Sequence, residues 1–306
     1  MKSERFRGTG VALVTPFTDT GAFDEKTFRK FVDWQVEQGV DYLVPCGTTG
    51  ENPALTFDEH MRVIELAIEV SDGRVPVLAG AGSNSTEKAI EFSLASIDLG
   101  ADGLLTITPY YNKPSPDGLL RHFSAQAEAV EKRSAGFPMV VYNVPGRTGC
   151  NLTPPTLSRI ASEIPSVIGV KEASANLDQI QEILRSRREG FLVLSGDDGW
   201  TLPLIALGGD GVISVAANEI PSLMSSMVRS ALEGDFDEAR EIHFRILPLM
   251  TGNFIESNPG PAKSVLKMMG ILPNDTVRSP LAPISKESTE RLRSIIEECG
   301  ILEGMK

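Results

Sequence analysis

Eight times along this chain a short apolar run gives way to a turn, and in most units then to a stretch whose apolar residues recur at helical spacing. The runs are Val11–Thr15, Tyr42–Pro45, Val75–Ala79, Gly103–Ile107, Met139–Asn143, Val167–Lys171, Leu192–Ser195 and Gly211–Ser214. Most are apolar throughout instead of alternating. Such runs suit strands covered on both faces, as parallel strands are when helices lie outside them. Between them, Asp24–Gln38 carries Phe28, Phe31, Val32 and Val36 at helical spacing, with Gly39 placed to end the helix. Asp58–Val70, Thr86–Leu99, Gly118–Val130, Leu157–Ile164 and Leu177–Leu184 follow the same rule. Strand–helix alternation on this scale predicts an α/β chain closed as a (β/α)8 TIM barrel. A doubly wound open sheet is the alternative; the lack of a second lobe in the pattern favours the barrel.

The barrel is expected to occupy residues 1–233, closing near the helix Pro221–Leu232. Phe236–Met250, Ala262–Met269 and Ser288–Cys299 are helical in pattern with no strand between them, so residues 234–306 are expected to form a small all-helical domain. With 41 acidic and 29 basic residues the chain carries a net charge of −12. That balance repels a phosphate backbone and an anionic membrane surface, so neither nucleic acid nor membrane is expected as a partner. Three cysteines give no disulfide framework. The N-terminus has no apolar leader, and no run approaches the ~18 residues of a spanning helix, so a cytoplasmic location is expected. An acidic protein that handles anionic substrates needs local positive charge, which makes each basic residue in a cleft informative.

In such a barrel the chemistry sits at the C-terminal ends of the strands. After the second run comes Gly47-Thr48-Thr49-Gly50-Glu51, whose glycines let backbone approach a ligand and whose hydroxyls and N–H groups suit a carboxylate; a plain tight turn reads the same way. Thr108-Pro109-Tyr110-Tyr111-Asn112 follows the fourth run, placing two of only four tyrosines in one loop, where packing against a second subunit is an equal reading. Tyr142 ends the fifth run, and Arg147 in the next loop can clamp a carboxylate through two parallel bonds or simply be solvated. Lys171 ends the sixth run. Such a lysine commonly reaches to water, but in a barrel mouth desolvation lowers the amine's pKa and makes it a nucleophile. His60, His122 and His243 are too scattered for metal-ligand spacing, and Asp197-Asp198 could hold Mg²⁺ or be structural.

Taken together, these motifs stand in the order and spacing of the dihydrodipicolinate synthases, pyruvate-dependent class I aldolases that the chain resembles over essentially its whole length. Ser195-Gly196-Asp197-Asp198 and Gly208-Gly209-Asp210-Gly211-Val212-Ile213-Ser214 extend the match. The resemblance implies that Lys171 forms a Schiff base with pyruvate, with no metal and no other cofactor. Tyr142 would shuttle protons in a relay with Thr48 and with Tyr111, the last supplied by a neighbouring subunit. Thr49, Gly196 and the Ile213 backbone would line the pyruvate site, and Arg147 would hold the carboxylate of aspartate semialdehyde. A homotetramer built as a pair of dimers is implied too. Gly146 stands where many of these synthases carry serine. A sister aldolase acting on N-acetylneuraminate or 2-keto-3-deoxy sugar acids would share the lysine and tyrosine; Arg147, and threonine at Thr48, favour the synthase. A binding protein that had lost catalysis should lack Lys171 or Tyr142, and both are present. Lysine-sensitive members carry a histidine and a glutamate where this chain aligns Phe57 and Lys88, beside Asn84 and Tyr110, so weak or absent lysine inhibition is expected.

Overall fold

The computed structural model describes residues 2–301; Met1 and the last five residues of the expected helical domain lie outside the described residues. The eight strands are β1 (Gly8–Ala12), β2 (Tyr42–Val44), β3 (Leu78–Gly80), β4 (Gly103–Ile107), β5 (Met139–Asn143), β6 (Val167–Glu172), β7 (Leu192–Ser195) and β8 (Gly211–Ser214). They form one parallel sheet in the order β2-β1-β8-β7-β6-β5-β4-β3. A parallel bridge between Leu43 and Val77 joins its two ends, so the sheet closes as a (β/α)8 barrel and not as an open doubly wound sheet.

Strands β2 and β6 end within one residue of their expected bounds, while β1 and β3 lie further off, for local reasons. β1 begins earlier than the apolar run because Gly8 and Gly10 belong to it; a Cβ at Gly10 would stand 2.1 Å from the Tyr42 ring. It ends earlier because the N–H of Val14 donates to Asn218 Oδ1 at 3.0 Å instead of to a strand. β3 begins only after Pro76, which has no N–H for the ladder.

The outer layer and its extension are α1 (Glu25–Glu37), α2 (Phe57–Ser71), α3 (Thr86–Asp98), α4 (Pro116–Arg133), α5 (Pro145–Thr148), α6 (Pro154–Glu163), α7 (Leu177–Ser186), α8 (Thr201–Ala206), α9 (Pro221–Glu233), α10 (Phe236–Gly252), α11 (Gly260–Met268) and α12 (Lys286–Glu298). Sequence chemistry sets the starts. Asp24 accepts from Thr27 N–H to cap α1, and Thr56 with Glu59 forms a reciprocal capping box on α2. α5 and α8 were not foreseen: four and six residues are too short to show a helical period.

Tyr42, Leu105, Val140, Leu194 and Ile213 fill the barrel interior together with Phe6, whose ring meets Tyr42 edge-on. Outside, Val11, Phe31 and Val63 share one continuous apolar cluster with Leu249, Leu266, Leu292 and Ile296, so α10–α12 pack directly on the barrel. Polar contacts reinforce that seam. Lys263 on α11 reaches Glu51 at 2.5 Å with both side chains 1% exposed. Arg278 grips Glu59 with two nitrogens and donates to Ala54 O and Gly21 O, and the Phe17 ring lies against both cations.

Candidate active site

Tyr142 on β5 and Lys171 on β6 are register partners, one residue short of their strand ends. Parallel pairing turns both side chains to the same face, and here that face is the barrel interior. Lys171 Nζ sits 4.3 Å from the centre of the Tyr142 ring. Gly196, just past β7, makes the room: a Cβ there would stand 2.7 Å from Ala173 Cβ and 3.0 Å from Lys171 Cε. The lysine is 5% exposed. Burial pulls its pKa down to about 8; Arg147 pushes the same way, and Asp198 opposes. The amine is therefore a far better nucleophile near neutral pH than an exposed lysine.

Burial moves Tyr142 in the other sense, raising its phenol, while Arg147 and a hydrogen bond with Thr48 work against that rise. The proton thus stays on the phenol at neutral pH, with a hydroxyl partner at hand for transfer. Beside it opens a cavity of about 200 Å³, lined among others by Thr48, Tyr110, Tyr142, Arg147 and Gly80. Arg147 stands on the one-turn helix α5, ended by Gly149 in the left-handed region at φ 67°. Thr148, the next residue, ties that turn down through Val144 O and Cys150 O. The arginine itself is exposed.

The turn Gly47–Glu51 is bounded by Cys46 at φ 57° and Glu51 at φ 55°, both left-handed. It closes through Gly50 N–H to Gly47 O at 3.1 Å and Glu51 N–H to Thr48 O at 3.0 Å. Thr49 is buried and accepts from Asn258 Nδ2 at 3.0 Å. Ile213 on β8 is 1% exposed and belongs to the same interior cluster as Tyr142.

The barrel thus gathers Lys171, Tyr142, Thr48, Arg147 and Gly196 at one end and sets Ile213 in the same interior. Tyr111 is the exception. Its N–H donates to Thr148 O, but its backbone is left-handed at φ 73° and its side chain is 89% exposed, away from the others.

Several weaker candidates find structural partners. Asp197 caps the turn behind it by accepting from Gly199 N–H, and Asp198 accepts from Val215 and Ala216 N–H. Burial nonetheless raises Asp198 to about 6. His60 is bonded to Gly80 O and His122 to Thr86. Among the described residues no group of three or more His, Cys, Asp or Glu is arranged to hold a metal ion. No helix among them is long and apolar enough to cross a membrane. Asn258 and Lys263 escaped the sequence reading. Both lie more than 200 residues from their partners Thr49 and Glu51, and an Asn-Pro-Gly turn gives no sign of pointing into a barrel mouth.

Known proteins resemble this chain along nearly its whole length. A 4-hydroxy-tetrahydrodipicolinate synthase of Koribacter versatilis is 50% identical over 301 residues, covering 98% of this chain and 98% of that protein. The corresponding enzyme of Maridesulfovibrio salexigens is 48% identical over 297 residues, covering 97% and 99%. Among solved structures, dihydrodipicolinate synthase from Aquifex aeolicus is 42% identical with a TM-score of 0.92 over 97% of this chain and 99% of that one. The chloride-inhibited enzyme from Acinetobacter baumannii, solved in complex with pyruvate, is 42% identical with a TM-score of 0.92 over 96% and 99%. The sequence model of the dihydrodipicolinate synthetase family matches residues 5–299. With the buried lysine, its tyrosine and the barrel that pairs them, this full-length match settles the kinship: the chain belongs to the dihydrodipicolinate synthetase family.

Proposed function

We infer that this chain is a lyase that condenses pyruvate with L-aspartate-4-semialdehyde to 4-hydroxy-tetrahydrodipicolinate, on the diaminopimelate route to lysine. The observation that carries the reading is Lys171, a buried amine with a pKa near 8 set against Tyr142. Lys171 Nζ adds to the ketone carbon of pyruvate, and loss of water leaves a protonated Schiff base. That cation acidifies the methyl group, which gives up a proton and becomes an enamine. The enamine carbon attacks the aldehyde, and the oxygen formed takes a proton from the site. The amino group of the semialdehyde then adds to the Schiff-base carbon, closes the ring and releases Lys171.

Tyr142 carries protons in these steps, with Thr48 as its partner inside the chain and Tyr111 of a second subunit as the outer member of the relay. The exposure of Tyr111 supports that assignment, since a residue so placed is free to enter a neighbour's site. Thr49, with the Gly196 and Ile213 backbones, receives the pyruvate carboxylate, while Arg147 receives that of the semialdehyde. The reaction needs no metal and no cofactor beyond the covalent adduct. A homotetramer in the cytoplasm, with residues 234–306 as a small helical domain, completes the reading.

Borohydride with pyruvate tests it. The intact protein should gain a reduced three-carbon adduct on Lys171, and Lys171→Ala should gain none; an adduct mapped to another lysine overturns the assignment. A coupled assay with aspartate semialdehyde, run beside neuraminate and keto-deoxy sugar acids, identifies the second substrate.

A further inference from the structure

We propose that Asn258, in the segment between α10 and α11, is a positioning residue that turns the Thr49 hydroxyl into a dedicated hydrogen-bond donor for the carboxylate of the bound 2-oxo acid. The proposal rests on the reading of Thr49 given above and adds the group that sets its polarity.

A hydroxyl has one hydrogen to give and two lone pairs to offer. Asn258 Nδ2 donates into Thr49 Oγ1 at 3.0 Å, and the two residues are 5% and 3% exposed. With that lone pair occupied, the O–H must point elsewhere. Among the described residues the Thr49 hydroxyl makes no second hydrogen bond, so its hydrogen has no acceptor among them. A buried donor without an acceptor is costly, and the cost is relieved when an anion arrives. The amide thus fixes the sense of the hydroxyl before substrate binds. Among the described residues Asn258 Oδ1 has no partner, so the bond to Thr49 is the polar contact that holds the side chain.

The rest of the turn is braced from the same side. Lys263 Nζ binds Glu51 Oε1 at 2.5 Å, and the N–H of Arg278 donates to Glu51 Oε2 at 2.9 Å. Thr15 holds Gly50 O from the barrel at 2.8 Å. With the backbone on either side of Thr49 fixed, hydroxyl rotation is the freedom left, and Asn258 removes it. A neutral amide does so without repelling a carboxylate. An aspartate of the same shape would accept the Thr49 hydrogen and bring a negative charge.

The test compares Asn258→Asp with Asn258→Ala by pyruvate-dependent borohydride trapping and by steady-state turnover. Asn258→Asp should raise the pyruvate concentration needed for half-maximal trapping by on the order of tenfold or more. Asn258→Ala, which frees the hydroxyl without reversing it, should raise it only a few-fold, and kcat at saturating pyruvate should hold within about threefold in both. An aspartate variant that binds pyruvate as well as the alanine variant overturns the proposal. So does a fall in kcat at unchanged pyruvate KM, the mark of a mere brace. Should Asn258→Asp not fold, the KM-against-kcat split in Asn258→Ala decides alone. The functional reading fails separately, if the unaltered protein is not trapped by pyruvate at all.

Discussion

Gly196→Ala is the smallest change that should disable the lysine. Gly196 does not have a positive φ, so the backbone itself accepts alanine. The obstacle is space: the new methyl would stand 2.7 Å from Ala173 Cβ, 3.0 Å from Lys171 Cε and 3.1 Å from Lys171 Cγ. Carbon atoms rest about 3.5–4.0 Å apart, so the deficits are about 0.8 Å or more against Ala173 and about 0.5 Å against the lysine stem. Neither strand end gives way easily. Gly196 N–H is held by Glu172 O at 2.7 Å and Ala173 N–H by Asn143 O at 2.9 Å. The flexible member is Lys171, and its amine moves. Overpacking of this kind costs about 1–3 kcal/mol of stability, and displacing a reacting atom by about 1 Å costs roughly a hundredfold in rate. Single-turnover borohydride trapping with pyruvate should slow by that order while Arg147 and the turn are untouched. Adding Ala173→Gly removes the worst contact and should restore part of the rate. Trapping within about twofold of the unaltered protein, with an unchanged melting temperature, would refute the argument that Gly196 exists to seat Lys171.

Four further outcomes are expected. The folded pKa of Lys171, about 8, lies below the 10.5 of an unfolded lysine, so the unfolded chain binds more protons between those values and stability rises with pH there; the stability gained by Lys171→Met should accordingly shrink by about 3 kcal/mol from pH 7 to pH 10.5, and a pH-independent difference in urea unfolding would contradict the burial. Lys263→Met leaves the Glu51 carboxylate buried without its cation and should lower unfolding free energy by about 3–5 kcal/mol, which an unchanged urea midpoint would rule out. Arg147→Ala should leave pyruvate trapping intact while kcat/KM for aspartate semialdehyde falls more than about tenfold; turnover near the starting value would remove Arg147 from the site. Submillimolar lysine should leave the steady-state rate nearly unchanged, because exposed Phe57 stacks on Phe92 of α3 and Lys88 stands one turn before it, offering no carboxylate to an ammonium group; strong partial inhibition would overturn this.

The barrel was legible because burial on both faces writes itself into composition: β4, β5, β7 and β8 coincide with their apolar runs. Where glycine or proline interrupts that code, at Gly8, Gly10 and Pro76, the bounds slip, since spacing says nothing about which N–H a distant asparagine captures. Lys171, Tyr142 and Arg147 were visible because a barrel sends its strand ends to one place, so position along a strand already predicts proximity. Thr49's dependence on Asn258 and Glu51's on Lys263 were not. Those bonds join turns whose local chemistry is complete without them, and only the packing of α11 on the barrel brings them together.

The closure between β2 and β3 differs from every other strand junction. The other neighbours are laddered over two or more residue pairs, whereas these two meet at a single bridge, with Leu43 N–H on Pro76 O and Gly80 N–H on Pro45 O. Gly80 lies so near Cys46 O that a Cβ would stand 2.2 Å from it. Mechanically the sheet is a ribbon rolled up and fastened by a clasp, and the clasp borders the cavity beside Tyr142. Opening the ribbon there breaks few hydrogen bonds, while opening it at β5 and β6 would part the tyrosine from the lysine. Native-state hydrogen-exchange protection should therefore fade first at Leu43 and Gly80 and last along β5 and β6, leaving the junction between the tyrosine and the lysine the tightest part of the ribbon.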